Sequence, residues 1–223
     1  MAAGGTSPLA LSFQVAAVAT VLASALGIAL GAVLASRRVP GRDMLDAILT
    51  APLVLPPTVL GYYVLVALGR KSALGQAFES LTGTSIVFTR TGAVVAAIIG
   101  GLPLVTKGAR SALEAVDPKL VQAARTLGAS RTRAFFTIEL PLASRGVIGG
   151  IMLAFARSLG DFGVTLMVAG DIPGETQTAA LAIYDAIQAR REAEALTMVV
   201  VLTLVAGGIL YGVNKLTGAT DAA

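Results

Sequence analysis

Cysteine and histidine are both absent from the 223 residues. Their absence removes disulfides, thiol chemistry, haem ligation and the usual zinc sites, so only carboxylates remain to hold a metal and no metal site is expected. Charge is scarce too. Only 13% of residues are Asp, Glu, Lys or Arg, about half the share found in soluble domains. What fills the chain instead is apolar: 55% hydrophobic residues and a mean hydropathy of +0.80, which places it in a bilayer. In such a chain the net charge of +4 and pI near 9.8 reflect loop topology rather than a nucleic-acid partner, and none is expected.

A spanning helix needs roughly 20 mainly apolar residues, so the distance between charges is the useful measure. Five stretches qualify: 8–36, which ends at Arg37 and Arg38; 47–68, between Asp46 and Arg70; 86–105, with Arg90 near one end where it snorkels; 146–169, interrupted by Arg157 and Asp161; and 195–213. The first lacks a basic start and a clear cleavage site and is read as a retained helix rather than a signal peptide. The expected fold is all-α, a bundle of five transmembrane helices in one domain over 1–223. On one side of these spans lie Arg37, Arg38, Arg42, Lys107, Arg110, Lys119, Arg125, Arg131, Arg133, Arg145 and Lys215; on the other lie Arg70, Lys71, Arg90, Arg190 and Arg191. Eleven against five puts the 106–145 loop in the cytoplasm, the N-terminus outside and the C-terminus inside.

Glycines recur at four-residue spacing as Gly27 and Gly31, Gly146 and Gly150, and Gly208 and Gly212, which lets helix backbones approach closely inside the bundle or, for one pair at most, across a dimer seam. Pro52, Pro56 and Pro57 remove backbone donors from the second span and must kink or interrupt it, so that helix is expected to line a cavity or pack tightly.

The long loop carries its own helix signals. Asp117 is an N-cap before Pro118, a helix follows through Leu120, Val121, Ala124 and Leu127, and Gly128 supplies the left-handed stop. Ser130 caps a second short helix with Phe135, Phe136 and Ile138, which Pro141 is expected to end. Two readings of this basic, amphipathic unit stand side by side: a helix pair lying on anionic lipid headgroups, or a device that docks on a partner with Arg125, Arg131 and Arg133 meeting acidic groups.

Arg157 and Asp161, four residues apart in the fourth span, are placed to form an ion pair on one helix face. At membrane depth such groups face the bundle interior or a water-filled path. The pair is either a pathway or gate element or a neutralised link that fixes packing. Beyond it, Pro173-Gly174 reads as an outer turn and 178–189 as a helix too short to span.

Gln122-Ala123-Ala124, Gly128 and Ile138-x-Leu140-Pro141 resemble the cytoplasmic EAA motif of permease subunits of binding-protein-dependent ABC importers. The first motif position, usually Glu, is Gln122, which keeps the length and the hydrogen-bonding capacity. Over nearly the whole chain the resemblance narrows to the molybdate permease subfamily, the ModB type. It is carried by Leu53-Val-Leu-Pro-Pro-Thr-Val-Leu-Gly-Tyr-Tyr63, Leu113-Glu-Ala-Val-Asp-Pro-Lys-Leu-Val-Gln-Ala-Ala-Arg-Thr-Leu-Gly-Ala-Ser130, Ala154-Phe-Ala-Arg-Ser-Leu-Gly-Asp-Phe-Gly163, Ile172-Pro-Gly-Glu-Thr-Gln-Thr178 and Ala182-Ile-Tyr184. Asp161 stands where that family usually has Glu.

The resemblance implies a type I ABC importer permease in a prokaryotic inner membrane, working as a homodimer. Its loop, with Gln122, Ala123, Ala124, Arg125, Gly128, Ala129, Ser130, Arg131 and Pro141, would seat in a cleft of each of two ATP-binding subunits. An extracytoplasmic molybdate-binding protein would meet an outer surface that includes Pro173, Gly174, Glu175 and Thr176, unless that segment is an outer gate or a plain connection. Pro56, Pro57, Arg157 and Asp161 are the pathway or gate candidates. None of Lys71, Lys107, Lys119 or Lys215 follows a glycine, so the chain has no P-loop and is not expected to be an enzyme; ATP and Mg belong to the partner. Sulfate, thiosulfate and tungstate are the alternative cargoes. An ion-coupled secondary transporter is disfavoured by the lack of internal symmetry, and a plain membrane anchor by the intramembrane ion pair.

Overall fold

Pro8 stands in the first turn of helix α1 (Pro8–Ala35), and Ser7 accepts the amide of Ala10 through its Oγ at 3.3 Å. The helix therefore starts at a capped proline, as helices favour. The structure, a computed structural model, describes residues 6–36 and 39–218; Arg37 and Arg38, which close the first expected span, lie outside the described residues. The other elements are α2 (Arg42–Val54), α3 (Pro57–Leu68), α4 (Ala73–Thr82), α5 (Arg90–Glu114), α6 (Pro118–Thr126), α7 (Arg131–Ala134), α8 (Leu140–Leu159), α9 (Gly163–Ala169), α10 (Ala179–Gln188) and α11 (Glu192–Gly218). Among the described residues four helices are long and apolar enough to cross a membrane, or up to five spans if the bent pair α2–α3 is one.

The core is built by small residues. A Cβ on Gly27 would lie 2.7 Å from that of Val105, and one on Gly31 2.7 Å from that of Ala109, so α1 lies against α5 in parallel at backbone distance. Gly146 meets Ala112 and Gly150 meets Gly108, which holds α8 antiparallel on the other side of α5. These two pairs do pack within the bundle, where close backbone contact replaces the missing hydrophobic drive. In the third pair Gly212 touches Met152, while Gly208 has open space around it.

Four expected boundaries are corrected. The second span is two helices bent by 116° at Leu55 and Pro56, both extended, because each precedes a proline and is held out of the helical region. The third begins at Arg90, where Thr89 caps the helix by accepting the amide of Gly92, and runs to Glu114, so 106–114 are helix rather than loop. Pro141 does not end a helix. Arg131 to Leu159 is one continuous 29-residue helix, with a wide π turn at Phe135–Glu139 in which the Leu140 amide reaches back to the carbonyl of Phe135. That looser turn accommodates the proline ring and its missing donor. The fourth span also breaks, at Gly160, and resumes only as the short α9. Helix α4, which sequence reasoning passed over, sits between an N-capping Ser72 and a left-handed Gly83.

Candidate functional site

The connection from α5 to α7 folds as its caps dictate. Asp117 Oδ1 accepts the amide of Lys119 at 2.9 Å, Pro118 opens α6, and the helix closes with the amide of Ala129 on the carbonyl of Ala124 at 3.0 Å. Gly128 makes that closure at φ +89°, which side chains rarely tolerate. Ser130 Oγ then accepts the amide of Arg133 at 3.2 Å and starts the next helix. Gln122, Arg125, Thr126, Gly128, Ala129 and Ser130 surround a shallow concavity of about 550 Å³. No residue of α6 is buried, Leu127 is 88% exposed, and Leu120 and Phe136 are exposed as well. Arg125, Arg131 and Arg133 form no ion pair among the described residues. The unit thus presents an exposed leucine and three guanidinium groups that form no ion pair among the described residues. Pro141 does not belong to it: it lies in α8, beyond the π turn.

At the second candidate site, Arg157 Nη1 donates to Asp161 Oδ1 at 2.9 Å, the expected contact. The setting differs from expectation, because the helix breaks between the two residues. Arg157 lies in the last turn of α8, whereas Asp161 stands just before α9 and holds its first turn: Oδ2 accepts the amide of Thr165 at 3.0 Å and its hydroxyl at 2.7 Å. Thr165, four residues on, is the partner that sequence reasoning missed. The Asp161 side chain is 3% exposed and that of Arg157 35% exposed. The carboxylate is thus sealed by three hydrogen bonds while the guanidinium retains an open face.

Gly163 and Pro57, the first residues of α9 and α3, are so close that a Cβ on the glycine would lie 2.6 Å from the proline Cβ. The breaks in the two spans therefore sit side by side, bringing Pro56, Pro57, Arg157 and Asp161 to one level. That level passes Gly100, where a Cβ would make ordinary contact with the Arg157 guanidinium at 3.7 Å, about 15 Å along α5 from Arg90 at 1.5 Å per residue.

The turn at Pro173–Thr176 lies at the Arg90 end of α5, opposite the α6 end. Arg90 donates to the carbonyls of Glu175 and Gly174, both at 3.1 Å, and to Thr6 Oγ1 at 2.8 Å. Thr176, fully buried, accepts the amide of Ile172 and donates to the carbonyl of Gly170. The segment is thus held by side-chain hydrogen bonds from Arg90 and Thr176. Arg90 was read as a snorkelling residue and is in fact its clamp. Phe162 meets Tyr184 of α10 in a tilted ring contact, with centroids 5.3 Å apart and planes at 55°, which links the junction to α10.

The profile of a family described as "Binding-protein-dependent transport system inner membrane component" matches residues 27–217. The chain is 47% identical over 178 residues to the molybdenum transport system permease protein ModB of Escherichia coli (strain K12), covering 80% of this chain and 78% of that one. It is also similar to a chain of the MetNI methionine ABC transporter in an inward-facing conformation, with a TM-score of 0.68, 16% identity, and coverage of 94% and 92%. A chain of a bacterial alginate ABC transporter, in complex with an alginate pentasaccharide-bound periplasmic protein, gives a TM-score of 0.73 at 14% identity, with coverage of 97% and 79%. At these identities the two structures speak for the fold.

Proposed function

Because the chain belongs to the family of binding-protein-dependent transport system inner membrane components, we propose that it is the ModB-type permease of an ATP-driven importer whose cargo is molybdate. The observation that carries the reading is the 117–133 unit: Asp117 and Ser130 caps flank a left-handed Gly128, and an exposed, unpaired basic surface surrounds them. It projects from the chain where the EAA-type motif stands. The 47% identity to a molybdenum permease supports the cargo, as does the Pro173-Gly-Glu-Thr-Gln-Thr178 run.

In this reading two copies form the pathway in the cytoplasmic membrane, and each loop docks on a separate ATPase subunit that holds ATP and Mg. The excess of Lys and Arg at the α6 end makes that end cytoplasmic. The turn clamped by Arg90 faces outward, where an extracytoplasmic binding protein delivers the anion. The adjoining breaks at Pro56–Pro57 and Gly160–Phe162 form a gate, since irregular backbone at membrane depth is tolerated where it lines a cavity. Arg157 lends that gate positive potential through its open face, while Asp161 and Thr165 hold it in place.

Reconstitution with the cognate ATPase and binding protein tests the assignment. ATP-dependent accumulation of labelled molybdate, resistant to excess sulfate, is the expected result. Accumulation of sulfate or thiosulfate with no molybdate uptake would move the cargo to those anions. Uptake that persists without ATP and collapses with the ion gradient would replace the importer reading by a secondary transporter.

A further inference from the structure

Helix α2 is attached to the bundle in an unusual way. None of its 13 residues is buried, none joins a hydrophobic cluster, and Met44, Ile48, Leu53 and Val54 are all exposed. Its anchor is ionic. Asp46 Oδ2 accepts a hydrogen bond from Lys107 Nζ at 2.6 Å and forms an ion pair with Arg110 Nη1 at 3.1 Å, both on α5, and Arg110 Nε donates to Glu114 Oε1 at 3.0 Å. The Asp46 and Arg110 side chains are only 17% and 18% exposed. The hydrogen bond from Lys107 is charge-assisted and directional, and the Arg110 ion pair adds attraction beside it, so together they hold α2 at a chosen position on α5 where apolar packing would permit sliding.

The position of this joint gives it a mechanical role. Arg110 and Glu114 occupy the last turns of α5, which leads through Ala115 and Val116 directly into Asp117 and α6. At its other end α2 meets the 116° bend, and beyond it Pro57 abuts Gly163 at the start of α9. We infer that Asp46, through Lys107 and Arg110, is a positioning residue that makes α2 follow α5, carrying movement of the docked loop to the junction of the two broken spans. The inference rests on the coupling reading of the loop. Without the ion pairs α2 would swing on Leu55 and Pro56 independently of α5, and ATPase movement would reach the junction through α5 and α8 but not through α2.

The test uses the whole complex, reconstituted with the ATPase and the binding protein, and measures molybdate moved per ATP hydrolysed. Asp46→Asn keeps the shape and an acceptor but removes the charge. It should retain the ATPase subunit at native levels while the ratio falls about tenfold, an ordinary size for coupling between sites. Asp46→Glu should keep most of the ratio, and the exchange Asp46→Lys with Lys107→Asp should recover much of what Asp46→Lys alone loses. A native ratio in Asp46→Asn, or an exchange no better than the single change, overturns the inference. Should Asp46→Asn fail to accumulate in the membrane, Lys107→Gln, which leaves Arg110 on the carboxylate, reads the same ratio with a smaller fall, and a native value there is equally fatal. Failure of the coupling reading itself would show separately, as ATPase retention that is indifferent to Gly128.

Discussion

Removing the Arg157 guanidinium leaves Asp161 3% exposed with two of its three hydrogen bonds, those from the amide and hydroxyl of Thr165. Breaking a buried pair by deleting one partner costs about 3–5 kcal/mol, and the surviving Thr165 bonds bring Arg157→Met to roughly 2–3 kcal/mol. Asp161→Asn leaves the arginine behind instead. That side chain is 35% exposed and reaches solvent, and the Asn oxygen still accepts from Thr165, so the cost is about 1 kcal/mol. In the double variant Arg157→Met with Asp161→Asn no charge is stranded, and it should be more stable than Arg157→Met alone by about 1–2 kcal/mol, a positive coupling on a double-mutant cycle. In thermal unfolding of the purified protein each kcal/mol is worth about 2–4 °C for a chain of this size, so Arg157→Met falls by roughly 4–12 °C and the second change recovers part of it. A double variant as unstable as Arg157→Met would refute the pairing. Molybdate uptake by the stabilised double variant then separates the roles: full recovery makes the pair structural, and poor uptake from a stable protein assigns the open face of Arg157 to the anion.

Gly128→Trp or Gly128→Pro, at φ +89°, should still insert but lose uptake and ATPase co-purification, because the backbone turn and the close approach both fail; unchanged uptake and retention would remove the docking assignment. The chain has no native cysteine, so Ala129→Cys and Gly174→Cys give clean labelling sites. Impermeant thiol reagents should reach the first only from the cytoplasm and the second only from outside, and the reverse pattern would invert the topology. Arg90→Met deletes three hydrogen bonds to Thr6, Gly174 and Glu175; limited proteolysis within 171–178 should accelerate while the bundle melts near its native temperature, and native cleavage rates would show that the clamp is dispensable. Gly163→Val drives a side chain into Pro57, with a Cβ only 2.6 Å from the proline Cβ. A loss of about 1–3 kcal/mol is expected from such overpacking, and a native melting temperature would separate the two breaks.

Local chemistry was legible from the residue order because caps, turns and helix pairs involve neighbours in sequence. Asp117, Gly128 and Ser130 act at a range of two to five residues, so the 117–133 unit could be read before any fold was known. The Arg157–Asp161 contact is equally local. Pro56 and Pro57 announced a break in the second span, since a missing donor acts wherever the chain lies. Charge spacing marked out apolar stretches of spanning length for the same reason, the cost of placing an ion in hydrocarbon belonging to the residue itself, although the observed helices keep other bounds.

What required the tertiary structure is what depends on residues far apart in the chain. The adjacency of the two breaks depends on Gly163 meeting Pro57, 106 positions away by their residue numbers. Arg90 became a clamp only when 174–175 folded over it, and Asp46 an anchor only when α2 came to lie on Lys107 and Arg110. In each of these the isolated side chain looks like any charge near a membrane surface. Its role comes from the directional bonds it makes to a distant segment, and those bonds exist only after small residues on α1, α5 and α8 have let the helices close to backbone contact.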